Sequence, residues 1–326
     1  MVLFNETMRL TQRDRIAGPA TSWQQRTVRI LVVLTVLLTA YLVIGNFASH
    51  RIDDDIYFVP PNPVAGGSYT VNMAAALIER EVVTHQWQPN DPWFMPDGLL
   101  DNTPNFQQGI ISAVGRLSFE LLDQLGRVRG SSQADPDLER AAGLLQFPGD
   151  IWIIDFSKSL MPTIPSEDQY RAALRALVSY NTRLAEGQAV FDRRADSLAA
   201  TVQRVAADLG SRSALIDAHL EHSSGFILNR SADDLFYQNK GRLYAYYLLL
   251  REIGRDFERV IQERNLQTVW AQTMESLRQA AVLQPTVVLD ASTDSALFAS
   301  HLASQGFYLL RALVQLNEVT KVLGVR

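Results

Sequence analysis

The most constraining feature of this chain is Ile30–Ala48, nineteen consecutive residues without a charge (ILVVLTVLLTAYLVIGNFA). As a helix at 1.5 Å per residue it spans about 28 Å, close to the hydrocarbon thickness of a bilayer. Only a helix satisfies its own backbone groups in lipid, so the stretch predicts one transmembrane helix. Arg9, Arg13, Arg15, Arg26 and Arg29 precede it against Glu6 and Asp14, and Asp53, Asp54 and Asp55 follow it. The positive-inside rule then puts the N-terminus in the cytoplasm and everything after residue 50 outside. A cleaved signal peptide fits less well, because the apolar run is long and Phe47-Ala48-Ser49 is a poor cleavage site. A buried core helix is disfavoured by the apolar circumference and the one-sided arginine flank.

The predicted organisation has four parts. Residues 1–29 form a cytoplasmic arm, 30–48 the span, 49–70 a Pro/Gly linker, and 71–326 an extracytoplasmic helical domain. Pro60, Pro61, Pro63, Gly66 and Gly67 make the linker read as an extended, semi-rigid spacer that lifts the domain off the membrane. Beyond it the apolar periodicity is helical nearly throughout. Helices are expected from Val71 to Trp87, Asn105 to Val128 and Pro136 to Gln146, the last with Asp135 as its cap. Ile151–Phe156 reads as a buried strand or an irregular core segment, and Thr286–Leu289 as one short strand.

Two long seams dominate the remainder. Tyr170, Leu174, Leu177, Asn181, Leu184, Gln188, Phe191, Ala195, Leu198, Val202, Val205 and Leu209 alternate steps of four and three, a heptad pattern over about 166–209. Asn181, Gln188 and Ala195 are its weak positions, and Gly187 marks a place for a kink. If continuous, this helix is about 65 Å long. A second seam, Phe236, Leu243, Tyr247, Leu250, Phe257 and Ile261, lies in a helix over about 233–265, with Lys240 and Gly254 as faults. The two helices are expected to pair antiparallel. Helices Leu266–Leu283 and Asp294–Leu323 close the chain. The fold class is mainly α: one transmembrane helix plus a helical bundle with a heptad-patterned pair.

Composition excludes more than it assigns. Cysteine is absent, so disulfides, thiolate metal sites and cysteine nucleophiles are excluded. Net charge is −5 with no basic run beyond the N-terminal flank, which disfavours nucleic acid as a partner. No Walker loop, GxGxxG, GxSxG or SxxK is present, so neither a nucleotide cofactor nor serine hydrolysis is indicated. His219 and His222 lie near Asp217 and Glu221, but their spacing fits no zinc motif and reads as a polar helix end. The reading is therefore no metal, no cofactor and no catalytic residue.

Two places remain as surfaces. The turn-rich loop from Trp87 to Asn105 gathers Trp93, Phe94, Asp97, Asp101 and Asn102. Aromatics beside carboxylates suit a glycan groove with an acid/base pair, but fit better a structured loop whose aromatics plug the bundle and whose Asp and Asn residues make turns. Arg127 and Arg129, ahead of Gly130-Ser131-Ser132, offer an anion site or simply a basic helix end facing its dipole. The partners expected are the bilayer, through Ile30–Ala48, and another protein or a second copy through the heptad helix.

The segments Asp101-Asn-Thr-Pro-Asn-Phe106, Gly126-Arg-Val-Arg-Gly-Ser-Ser132, Ser179-Tyr-Asn-Thr-Arg183 and Arg193-Arg-Ala-Asp-Ser-Leu198 resemble a family of uncharacterised single-span bacterial inner-membrane proteins, a domain of unknown function. The resemblance covers nearly the whole chain. It implies the inner membrane of a Gram-negative bacterium and transfers no activity and no catalytic residue. The first functional reading is a periplasmic scaffold or binding module. A cell-wall enzyme using the Trp87–Asn105 loop and a single-span sensor needing a cytoplasmic partner stand as alternatives.

Overall fold

The computed structural model describes residues 21–49, 52–92, 95, 101–129, 135–154, 161–222, 230–283 and 301–324. These form ten α-helices and no strand. The first, α1 (Thr21–Ser49), contains Gln25–Gly45, long and apolar enough to cross a membrane, with none of that window buried. Length and composition of this kind belong to a membrane anchor and to a signal sequence alike.

The bundle begins with α2 (Tyr69–Glu79), capped by the Ser68 side chain. Its N-terminus also receives a carboxylate from a distant part of the chain. Asp256 accepts from Ser68 Oγ (2.7 Å), Thr70 N (2.9 Å) and Thr70 Oγ1 (2.7 Å). A buried carboxylate on the first N–H groups of a helix meets the positive end of its dipole. A π-helical turn, Arg80–Thr84, follows without a break.

The remaining helices are α3 (Asn102–Arg129), α4 (Pro136–Leu144), α5 (Ser166–Ala185), α6 (Ala195–His222), α7 (Arg230–Asp256), α8 (Glu258–Glu263), α9 (Gln267–Ala281) and α10 (His301–Gly324). Asp135 caps α4 through Asp137 N and Leu138 N, as its sequence predicts. One hydrophobic core runs through the bundle, from Met73 and Leu77 through Phe106, Ile110, Leu198, Leu243 and Leu250 to Leu309 and Leu316.

Four expectations need correction. The heptad stretch 166–209 is not one rod: α5 stops at Ala185 and α6 starts at Ala195, with Gly187 at φ +74° in between. Tyr170, Leu177, Phe191, Leu198, Val202, Val205 and Leu209 of that seam are nonetheless buried within the chain, and Leu174, Leu184 and Ala195 partly so. The two long helices do not form the main pair: α7 packs chiefly on α3, and α6 on α10. The 233–265 helix is likewise split at Phe257 into α7 and α8. Of the two readings of Ile151–Phe156, the described part, Ile151–Ile154, follows the irregular one, tied by Thr163 N to Ile153 O and Ser166 N to Ile151 O. The 286–289 segment lies outside the described residues.

The fourth correction concerns the linker. Residues 52–58 are docked on the bundle as a strap. Asp54 pairs with buried Lys240 at 2.7 Å, and the Asp55 carbonyl accepts from the Tyr244 hydroxyl at 2.8 Å. Arg251 donates to the Ile56 and Phe58 carbonyls at 2.9 and 2.7 Å. The Phe58 ring lies 4.6 Å from the Arg80 guanidinium. The bundle offers cations on a face of limited exposure, and the strap supplies the carboxylate and carbonyl oxygens that compensate their desolvation.

Candidate functional site

The residues singled out in the sequence do not converge on a described site. Trp93, Phe94 and Asp97 lie outside the described residues. Asp101 and Asn102 are half-buried at the start of α3, and Asn105 nearby holds Asp234 at 2.9 Å. Arg127 and Arg129 fall on the last turn of α3, where only the backbone is described. Among the described residues, no group of three or more His, Asp and Glu side chains gathers as a metal site.

A different place does combine a cavity with unusual electrostatics. Between α3, α5, α6, α7 and the loop after α4 lies an open pocket of about 240 Å³. One wall is aromatic: Trp87 and Tyr170 meet edge to face at 4.9 Å. Both are fixed by loop carbonyls, Trp87 Nε1 on Gly149 O (2.7 Å) and Tyr170 Oη on Phe147 O (2.8 Å). Gly149 packs tightly there, since a Cβ would sit 3.0 Å from the Trp87 ring. The opposite side carries Gln108, Ser112 and Arg116 from α3, Arg212 from α6, and Gln238 and Arg242 from α7. Helical spacing explains the grouping, since 108, 112 and 116 stack on one face of α3, and 238 and 242 on one face of α7.

Behind these residues sits the buried Asp208 carboxylate. One of its oxygens accepts from Arg242 Nη1 and, at 2.8 Å, from the Tyr246 hydroxyl. The other faces Arg116 Nε at 3.3 Å, an ion pair without an aligned hydrogen bond. Arg242 is 2% exposed and also donates to Ser112 Oγ through Nη2. Arg212 donates to Gln238 Oε1 at 3.1 Å. Arg116 and Arg242 pair with Asp208 and Arg212 stands near enough to feel it, so three guanidiniums surround one buried carboxylate, two more than it neutralises.

The excess is costly where it sits. Burial, followed by neighbouring Arg242, lowers the Arg212 pKa from its ordinary value, and Asp208 only partly opposes this. Burial and the Asp208 carboxylate push the Tyr246 hydroxyl well up, so it stays a donor to that carboxylate. The Nε groups of Arg212 and Arg242 are buried and find no hydrogen-bond partner among the described residues. A cavity lined by Arg116, Arg212 and Arg242 presents more guanidinium than its one buried carboxylate neutralises, which suits it to an anion. The exposed Asp150 carboxylate stands on the aromatic side, close enough to raise the Tyr170 pKa after burial has done so.

Sequence reasoning missed this pocket because Arg116, Arg212 and Arg242 are far apart along the chain. The available signal was a polar residue four positions from another on otherwise apolar helix faces: Ser112/Arg116, Asp208/Arg212 and Gln238/Arg242.

Fold and pocket together define an all-α bundle protein with an apolar N-terminal helix and an arginine-lined cavity. Residues 62–225 match the family described as an uncharacterized protein conserved in bacteria (DUF2333), and the chain belongs to that family. The matched stretch includes Arg116, Asp208 and Arg212 and ends before Gln238 and Arg242. No curated protein and no solved structure matches the chain.

Proposed function

We propose that this is a single-pass inner-membrane protein of the bacterial envelope, with its N-terminus cytoplasmic and its bundle periplasmic, which acts as a binding module for a negatively charged ligand. The observation that carries this reading is the pocket with three arginines around one carboxylate. Its buried carboxylate, Asp208, is taken up by Arg242 and Tyr246, and the other carboxylate near it, Asp150, is exposed on the aromatic side, which favours binding over catalysis. The long apolar window of α1 and its arginine flank support retention in the membrane and the orientation. Most apolar positions of the first seam pack within the chain, which supports the pocket as the binding surface.

Two measurements test the reading. Reporter fusions after residue 60 are expected to be active only as periplasmic reporters; cytoplasmic activity there overturns the topology. Full-length protein in maltoside micelles is expected to bind at least one of citrate, sulfate and inorganic phosphate saturably, with the affinity falling as salt rises. If none of the three binds, the receptor reading is lost.

A further inference from the structure

The pocket is one end of a longer groove. A second cavity of about 210 Å³ shares Arg116 and Gln146 with it and is bounded by Phe119 and Arg204. A third, of about 270 Å³, shares Arg204 with the second and is floored by Ala200, Gln203 and Ala207. The groove thus runs along the α3–α6 face for more than two turns of α6, from Arg212 past Ala200.

Its charge is not uniform. At the far end Arg204 is already bound to buried Glu120 at 2.9 Å. Gln124 there donates to Thr201 and to the Ser197 carbonyl, at 2.7 and 3.1 Å. That end needs no anion. Phe119, 51% exposed, and the alanines give it an apolar surface. The excess of guanidiniums is confined to the Arg212–Arg242 end.

We infer that the groove takes a phosphate monoester with an uncharged body: the dianionic phosphate sits among Arg116, Arg212 and Arg242, and the body lies along Phe119, Ala200 and Ala207. This rests on the reading of the pocket as an anion receptor and narrows it. A monoester carries nearly two negative charges near neutral pH, matching the excess of two guanidiniums. Its three terminal oxygens accept from several directions, as donors on three different helices require, whereas a carboxylate offers two oxygens in one plane. A phosphodiester brings only one charge. The same group occurs on soluble sugar phosphates and on phosphatidic-acid-type lipids, and the groove chemistry is common to both.

The test is calorimetric titration of the full-length protein in maltoside micelles at low salt. The probes are glucose 1-phosphate, dioctanoyl phosphatidic acid, dioctanoyl phosphatidylglycerol as the diester, glucuronate as the carboxylate, and inorganic phosphate. At least one monoester is expected to bind ten-fold or more tighter than the diester, glucuronate and inorganic phosphate. Which monoester does so identifies the soluble or the lipid source. Arg116→Gln, at a half-exposed position compatible with folding, should weaken that monoester about ten-fold. Phe119→Ala should weaken it several-fold and leave inorganic phosphate unchanged. Glucuronate binding as tightly as the monoesters overturns the phosphate assignment while the receptor reading stands. Inorganic phosphate binding as tightly as the esters, or losing affinity equally with Phe119→Ala, overturns the groove assignment. If no probe binds, both fall.

Discussion

Asn181 shows how a single residue can look like a fault in a pattern and be its fastener. It interrupts the first heptad seam, yet it is buried, and its amide holds three groups. Oδ1 accepts from Ser68 N at 2.8 Å, and Nδ2 donates to Asn72 Oδ1 at 2.9 Å and Ser68 O at 3.3 Å. It thereby fixes the backbone at the start of α2 against α5. Gly67 must be a glycine beside it, because a Cβ would lie 2.6 Å from Asn181 Oδ1. The faults of the second seam have similar causes. Lys240 is buried to receive Asp54 and the Leu283 carbonyl, and Gly254 makes room for the Trp270 indole, 2.7 Å from where its Cβ would be. Periodicity identifies such positions as exceptions but not their partners, which lie more than 40 residues away in the case of Lys240 and Leu283. Asn181→Leu is expected to destabilise the bundle by about 1–3 kcal/mol, despite restoring the apolar pattern, because it strands the Ser68 backbone groups. Urea unfolding measures this, and a stability equal to wild type would show that water replaces the amide without cost.

At the scale of elements, the helical type of the long segments was legible, because they carry several turns of apolar spacing, whereas the breaks at 186–194 and Phe257 were not. Nor was the pairing of the helices. The closeness of α3 to α7 depends on two glycines: a Cβ at Gly109 would be 2.2 Å from the Gln238 carbonyl oxygen, and one at Gly241 would be 2.0 Å from that of Phe106. No periodicity reports this, since a glycine inside a helical pattern looks only like a weak position. Gly241→Ala, which improves helix propensity, is therefore expected to destabilise by about 3 kcal/mol or more, as the backbones are forced apart. A thermal melt no lower than wild type would disprove the close approach. The α4–α5 contact makes a separate, pH-dependent prediction. Arg183 binds Asp135 at 2.7 Å and Asp137 at 2.7 Å. Burial raises the Asp135 carboxyl, but the Arg183 hydrogen bond and the Leu138 and Asp137 amides outweigh it and hold its pKa below the ordinary 3.8. A depressed carboxylate contributes stability that is present above the unfolded pKa and lost as the pH falls through the folded one. Arg183→Met should cost about 1 kcal/mol at pH 7, allowing for solvent screening, and flatten the loss of stability below pH 3.8. Urea midpoints from pH 7 to pH 2 test it; an unchanged acid slope would remove the pair from the acid response.

At the scale of the whole molecule, α7 joins the strap to the pocket. Gln238 and Arg242 face the cavity, while Lys240, Tyr244 and Arg251 hold the strap. Positions two apart on a helix point about 200° from each other, so the two sets occupy opposite faces of one rod. The Pro/Gly composition of the linker reads as a spacer because composition reports chain stiffness and not the cations waiting on the bundle. The docked strap makes the segment before α2 part of the folded unit. A fragment starting at residue 50 keeps Asp54 on Lys240 and the strap carbonyls on Tyr244 and Arg251. A fragment starting at residue 60 leaves Lys240 without its carboxylate and Arg80 without one of its two aromatic neighbours, Phe58. Removing one partner of a buried ion pair costs about 3–5 kcal/mol, which for a domain of this size lowers the melting temperature by about 10 °C. The fragment from residue 50 should melt with the full-length bundle, and the fragment from residue 60 about 10 °C below it. Adding Lys240→Met to the shorter fragment should recover part of the difference by removing the uncompensated charge. Equal melting of the two fragments would mean that the strap merely rests on the bundle, and the membrane helix would then be joined to the pocket only by a tether.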